Sequence, residues 1–381
     1  MRFQTRAIHA GQQADAATGA TIVPVYQTST FTQDAIGQNK GFEYSRARNP
    51  TRVALEQCLA SLENGRHALT YASGMAAVAA TMQLVTAGQH VVVSDDLYGG
   101  TYRLFSQVLP AYGVQFSFVD ALSLPTLQEA VLPNTRLVWI ESPTNPMLRL
   151  TDIAGCAEIA HEAGAKLVVD NTFATPCLQQ PLDMGADIVV HSMTKYIGGH
   201  SDLLGGAVVL SDDDVAAQLR FVSNATGGVL GPWDAWLCLR GLKTLAIRMR
   251  EHCANAALVA RFLRDRRETA AVHYPGFEDH PGHDLAARQM SDFGGMVTVE
   301  LKGGETAARR LCESTHVFTL AESLGGVESL IGYPWLMSHG AFEPQFKSDK
   351  GITPATVRLS VGIEHADDLL DDLDQALARS A

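Results

Sequence analysis

Two apolar stretches of this chain each run out into a residue that can do chemistry. KLVVDNT (166–172) ends on Asp170, and DIVVHS (187–192) leads directly into Met193, Thr194 and Lys195. Both read as short buried strands, continuous in apolar and β-branched residues. Burial at a strand exit lowers an amine's pKa towards the range in which it attacks a carbonyl. Ser192 and Thr194 flank the lysine with hydroxyls able to hold a phosphate. Taken alone, Lys195 can equally snorkel to water, and Asp170 followed by Asn171 and Thr172 can cap a helix. Taken together the two strand ends are more specific. If the strands are adjacent and parallel, acid and amine share one edge of the sheet, where open α/β sheets bind ligands. That arrangement suits pyridoxal 5′-phosphate, with Lys195 in a Schiff base to its aldehyde. Asp170 would face the pyridine nitrogen and keep it protonated, so that the ring acts as an electron sink.

Other residue types along the chain fit the same chemistry, each with a plainer alternative. Tyr44, Arg46 and Arg48–Arg52 lie in an irregular stretch. They read as a solvated loop with a helix start at Asn49-Pro50, or as a phenol and a guanidinium fork reaching a phosphate. Ser73-Gly74-Met75 follows the strand ALTYA and opens an Ala-rich helix. Strand, glycine turn and helix present free N–H groups and a positive dipole end to an anion. Tyr98, in the turn LYGGTYR, is either a packing aromatic or a ring that stacks on a flat cofactor. Asn145 sits between two prolines in ESPTNP. Arg358 alternates with apolar neighbours, pointing away from the core face or into a cleft as a fork for a carboxylate. His280-Pro-Gly-His283 reads as a turn, and no metal site is expected.

The elements that must position these groups are legible as strand and helix in repetition from His90 onward: HVVVSDD, VQFSFVD, RLVWIESP, KLVVDNT, DIVVHS and GAVVL. Uninterrupted apolar strands imply a mostly parallel α/β sheet covered on both faces. Residues 1–55 are expected to form an irregular arm, 56–250 a large cofactor-binding domain, and 251–381 a smaller α+β domain. A long helix over Trp233–Glu251 would lead from one to the other. Net charge of −12 at pH 7 argues against nucleic acid or an anionic membrane surface as a partner. The N-terminus MRFQTRAIHAG lacks a signal-peptide core, and Met75–Val85 is too short to span a bilayer. Six scattered cysteines without a C-x-x-C pair read as reduced thiols of a cytoplasmic enzyme.

With these residues assembled, the chain resembles the cystathionine-metabolising branch of the fold-type I, aspartate-aminotransferase-like pyridoxal-phosphate enzymes. The resemblance runs from about Thr5 to the C-terminus through EYSRARNPTR, YASGMAA, DDLYGGTYRLF, ESPTNP, VVDNTFATP, HSMTKYIGGHSD, LAESLGGVESL and VRLSVGIE, in that order. It implies a large domain built on a seven-stranded sheet. It also implies that Ser73, Gly74 and Met75 join Ser192 and Thr194 at the phosphate, and that Tyr98 stacks on the ring and assists proton transfer at the leaving sulfur. Asn145 and Arg358 would hold the substrate carboxylate, with Ser323, Arg103 and Glu322 among the substrate-binding residues. Tyr44 and Arg46 would reach the phosphate of a neighbouring subunit in a homotetramer made of two such dimers.

Within the branch, Glu322 resembles the γ-lyases and γ-synthases, where an acid can face a distal amino group. Ala47 replaces a second arginine of some bacterial γ-synthases, and GGHSD stands in place of NGHSD. These departures point to γ-elimination of L-cystathionine to cysteine, 2-oxobutyrate and ammonia. The alternatives are γ-replacement on an acylhomoserine, as in a γ-synthase, and β-elimination, since some β-lyases share the acid. Methionine γ-lyases differ at Glu322 and carry a cysteine where this chain has Gly100. A non-catalytic nucleotide-binding protein is disfavoured, because neither G-x-G-x-x-G nor a P-loop is present.

Overall fold

The computed structural model describes residues 1–340 and 342–380. The apolar runs form β1 (His67–Tyr71), β2 (His90–Ser94), β3 (Gln115–Val119), β4 (Thr135–Glu141), β5 (Lys166–Asp170), β6 (Ile188–Ser192) and β7 (Gly206–Leu210). They make one seven-stranded sheet in the order β1-β7-β6-β5-β4-β2-β3. Strands β2 to β6 pair in parallel, and β7 runs antiparallel to both β6 and β1. Alternation along each strand sends neighbouring side chains to opposite faces. Val91, Val93, Trp139 and Val168 enter one core, while Val92, Val138, Ile140 and Val169 enter another. Helices cover both faces, which is why these strands are apolar without interruption.

The second sheet contains β8 (Thr269–His273), β9 (Met296–Leu301), β10 (Thr319–Leu320), β11 (Leu330–Gly332) and β12 (Thr356–Ser360). Its order is β10-β11-β12-β9-β8, antiparallel except for the β10–β11 pair. Its core includes Val297, Val299, Val357 and Leu359, packed with Leu311 and Leu373 from helices Gly304–Ser314 and Ala366–Ser380.

Two expectations need correction. The first 55 residues are not wholly irregular, because Phe3–His9 is helical and buries Ala7. The single helix expected over Trp233–Glu251 is two, Pro232–Leu242 and Leu245–Arg264. Leu242 and Leu245 on either side of the break are both buried. The apolar rhythm therefore continues across it, and the break is invisible to periodicity. Among the described residues no helix is long and apolar enough to cross a membrane.

Candidate active site

Strands β5 and β6 are adjacent and parallel, with Asp170 opposite Val190 in register. Asp170 and Ser192 therefore leave the sheet at the same carboxyl edge, and the turn after β6 brings Lys195 back over it. The three line one cavity of about 330 Å³ together with Ser73, Gly74, Met75, Tyr98, Glu141, Asn145, Thr194, Glu322, Ser323 and Arg358. Residues from seven separate stretches and from both sheets thus converge on one space.

Lys195 Nζ donates a 2.6 Å hydrogen bond to Ser323 Oγ. Burial, then the Arg358 guanidinium, push its pKa down to about 8, against a smaller opposing pull from Glu322. Ser323, in LAESLGG, has φ near 93°. A non-glycine residue held in that region marks a site of imposed backbone conformation. Its carbonyl accepts from Arg358 Nη2 at 2.8 Å, and Asn145 Oδ1 accepts from Arg358 Nη1 at 3.0 Å. Arg358 is 5% exposed. Its side chain therefore enters the cleft, and its fork is held before any ligand arrives.

On the opposite wall, Ser73 caps the helix Gly74–Thr81 by accepting from the Ala76 N–H at 3.1 Å. The first N–H groups of that helix remain available to an anion. The helix end sits close against β6 because residue 74 is glycine: a Cβ there would stand 2.9 Å from Ser192 Cβ. Gly206 serves the same approach from β7, since a Cβ on it would lie 2.1 Å from the Ser73 carbonyl oxygen. Helix N–H groups, the Ser192 and Thr194 hydroxyls and a glycine-walled cradle make a donor set suited to a phosphate.

Asp170 Oδ1 accepts from the Thr172 N–H at 3.0 Å, closing a local turn. Asp170 caps no helix, since the next one, Thr175–Leu178, has Ala174 at the N-cap. Burial raises its pKa, opposed first by hydrogen bonds from Thr172 and then by the charge of His191. A protonated ring nitrogen facing the carboxylate would favour ionisation further. Acid and amine in one cavity beside an anion cradle fit pyridoxal phosphate.

Glu141 was missed by sequence reasoning. It ends β4 directly opposite Asp170, lines the cavity, and accepts the Tyr98 N–H at 2.8 Å. The usable signal was a carboxylate at a strand exit, the same one that singled out Asp170. Tyr98 itself precedes the helix Gly99–Arg103 and is 43% exposed, its ring bordering the cavity. Arg103 lies at the exposed end of that helix, away from the cavity lining. Tyr44 and Arg46 also lie outside it; Arg46 stacks over the Tyr44 ring at 5.4 Å and donates to Asn224 Oδ1 at 3.3 Å. Among the described residues no cluster of His, Cys, Asp or Glu could hold a metal ion.

The sequence profile of the Cys/Met metabolism PLP-dependent enzymes matches residues 4–378. The chain belongs to that family. It is 52% identical over 375 residues to a cystathionine γ-synthase of Mycobacterium tuberculosis, covering 98% of this chain and 96% of that protein. A cystathionine β-lyase of Coxiella burnetii is 50% identical over 377 residues, with 98% and 97% covered. The solved cystathionine γ-lyase of Lactobacillus plantarum, complexed with L-serine, superposes with a TM-score of 0.97 at 45% identity, covering 100% of this chain and 99% of that one. The protein is accordingly a pyridoxal-phosphate-dependent enzyme of carbon–sulfur bond chemistry with the fold-type I architecture.

Proposed function

We propose that the principal reaction is γ-elimination of L-cystathionine, which takes up water and releases cysteine, 2-oxobutyrate and ammonia. One observation carries it: Glu322 borders the same cavity as the Arg358 fork and Lys195. A site with a guanidinium for one carboxylate and an exposed acid beyond it suits a substrate that is an amino acid at both ends.

Bound in the cavity, pyridoxal phosphate supplies an aldehyde for the substrate amine and a ring that withdraws the electron pair left at Cα. The N–H groups of Gly74 and Met75, with Ser73, Ser192 and Thr194, would hold its phosphate, Asp170 its ring nitrogen and Tyr98 its ring face. Arg358 and Asn145 bind the near carboxylate and so orient the Cα–H bond towards Lys195. With its pKa near 8, Lys195 Nζ is unprotonated often enough at neutral pH to accept that proton. Once it has passed the proton back to the cofactor-bound substrate it is again a free amine, able to accept one from Cβ. Ser323 steadies the amine between transfers, and Tyr98 gives a proton to the departing sulfur. Tyr44 and Arg46, on the arm formed by residues 1–55, complete the phosphate site of a second copy. Two such dimers would make the tetramer.

A second reading, γ-replacement joining cysteine to an activated homoserine ester, is favoured by the name of the Mycobacterium relative. Incubating the cofactor-loaded protein with L-cystathionine and identifying the keto acid separates the possibilities. The expected product is 2-oxobutyrate. Pyruvate with homocysteine would establish β-elimination instead. Absence of any keto acid, with cystathionine formed from cysteine and O-acetyl- or O-succinylhomoserine, would establish the synthase.

A further inference from the structure

Alternation along β4, β5 and β6 sorts their last residues onto two faces. Glu141, Asp170, Val190 and Ser192 line the cavity. Ser142, Asn171 and His191, each next in sequence to one of them, are buried on the other side. There they join a polar chain. Gln179 Nε2 donates to the Ser142 carbonyl and to Asn171 Oδ1, both at 2.9 Å. Asn171 Nδ2 donates to Glu63 Oε1 at 3.0 Å, and the same oxygen lies 2.5 Å from His191 Nε2.

Glu63 is the unexpected member. It caps the C-terminal end of the helix Pro50–Leu62, where the dipole opposes a negative charge, and it is 0% exposed. A carboxylate desolvated in such a place persists only against a cation. His191, also 0% exposed, is the imidazole in contact with it. The contact between Glu63 Oε1 and His191 Nε2 ties carboxyl and imidazole together on the face behind Asp170, while Glu63 Oε2 and His191 Nδ1 have no other hydrogen-bond partner among the described residues. The charge of His191 favours the ionised form of Asp170.

We propose that Glu63 and His191 form a charged positioning pair for Asp170, acting on it through the sheet from the face opposite the cavity. Neither residue touches cofactor or substrate. The pair holds the negative charge that Asp170 presents to the ring nitrogen, while Asn171 and Gln179 fix the strand ends around it. The inference rests on Asp170 being the partner of that nitrogen, and not on which sulfur substrate is used.

The test uses the full-length holoenzyme, without substrate, at one pH. Asp170→Asn sets the direction in which the visible absorption band moves when the ring nitrogen loses its partner. Glu63→Gln keeps an acceptor for Asn171 but removes the charge. It should move the band in the same direction at unchanged cofactor content, and should move it no further when added to Asp170→Asn. With substrate, kcat should fall about tenfold while KM changes less than about threefold. His191→Asn should reproduce both effects, and it carries the test if Glu63→Gln fails to fold. A folded Glu63→Gln or His191→Asn protein with the wild-type spectrum and kcat, beside a shifted Asp170→Asn, would overturn the proposal. An Asp170→Asn protein with an unshifted spectrum would instead overturn the assignment of Asp170, and this inference with it.

Discussion

Glu141 and Asp170 stand opposite each other in register at the carboxyl ends of β4 and β5, and both carboxyls open onto the cavity that contains Lys195. Two acids so placed cannot both ionise cheaply. Burial first, then the charge of Asp170, push the Glu141 pKa well above its ordinary 4.5. Glu141 thus holds its proton to higher pH than a free glutamate, which favours leaving the negative charge to Asp170, while it still accepts the Tyr98 N–H.

A pH dependence follows, with a definite sign. Between pH 4.5 and the raised folded value the unfolded chain gives up the Glu141 proton while the folded chain retains it. The folded state then binds more protons, and stability falls as pH rises through that window. Glu141→Gln removes this contribution. Melting temperatures of the cofactor-free protein should decline less steeply with pH in the variant than in the wild type. Parallel curves would mean that Glu141 carries no extra proton.

Lys195 gives the opposite slope. Its pKa drops from 10.5 unfolded to about 8 folded, so between those values the unfolded chain binds more protons. Stability of the cofactor-free protein should therefore rise with pH from about 8 to 10.5, and Lys195→Met should abolish that rise. The same variant should be inactive and, with added pyridoxal phosphate, should lack the absorption band of a Schiff base to residue 195. A Lys195→Met protein that keeps that band and remains active would remove the amine from the chemistry.

The large sheet was legible because its strands are buried on both faces: HVVVS, KLVVD and GAVVL admit no other disposition once they recur with helices between them. Asp170 and Lys195 were legible as polar residues at the ends of such runs. Glu141 passed unnoticed beside the more conspicuous prolines of ESPTNP, although it obeys the same rule. Glu63 could not be found this way, since a glutamate before Asn-Gly at a helix end reads as solvated and only the third dimension brings His191 to it. The helix Phe3–His9 has seven residues and no side-chain cap, too little for a pattern. Strands β10 and β11, with two and three residues, are shorter than any alternation can reveal.

Closeness at the phosphate cradle can be tested with one methyl group. Ala at position 74 would place Cβ 2.9 Å from Ser192 Cβ and 3.0 Å from its Oγ, inside van der Waals contact. Helix and strand must then separate where the anion is expected to sit. Gly74→Ala should weaken cofactor binding about tenfold, or roughly 1.4 kcal/mol, in an absorbance titration of the cofactor-free protein. Ser73→Ala removes the cap hydrogen bond to Ala76 and should cost about 1 kcal/mol of stability besides. Unaltered cofactor affinity in Gly74→Ala would place the phosphate elsewhere.

Glu322 separates recognition of the distal end from the chemistry. It is exposed at the cavity rim, so its attraction for an ammonium is moderated by water. Exposed ion pairs contribute up to about 1 kcal/mol, which is about fivefold in binding. Glu322→Gln should therefore raise KM for L-cystathionine about fivefold with a smaller change in kcat. An amino-acid substrate that lacks the distal ammonium should not feel the substitution. Because salt screens an exposed pair, the wild-type KM for cystathionine should also rise with ionic strength, and that dependence should be flatter in the variant. Equal losses on both substrates would show that Glu322 supports the Ser323 loop and the Lys195 amine, and that the distal amino group is recognised by some other residue.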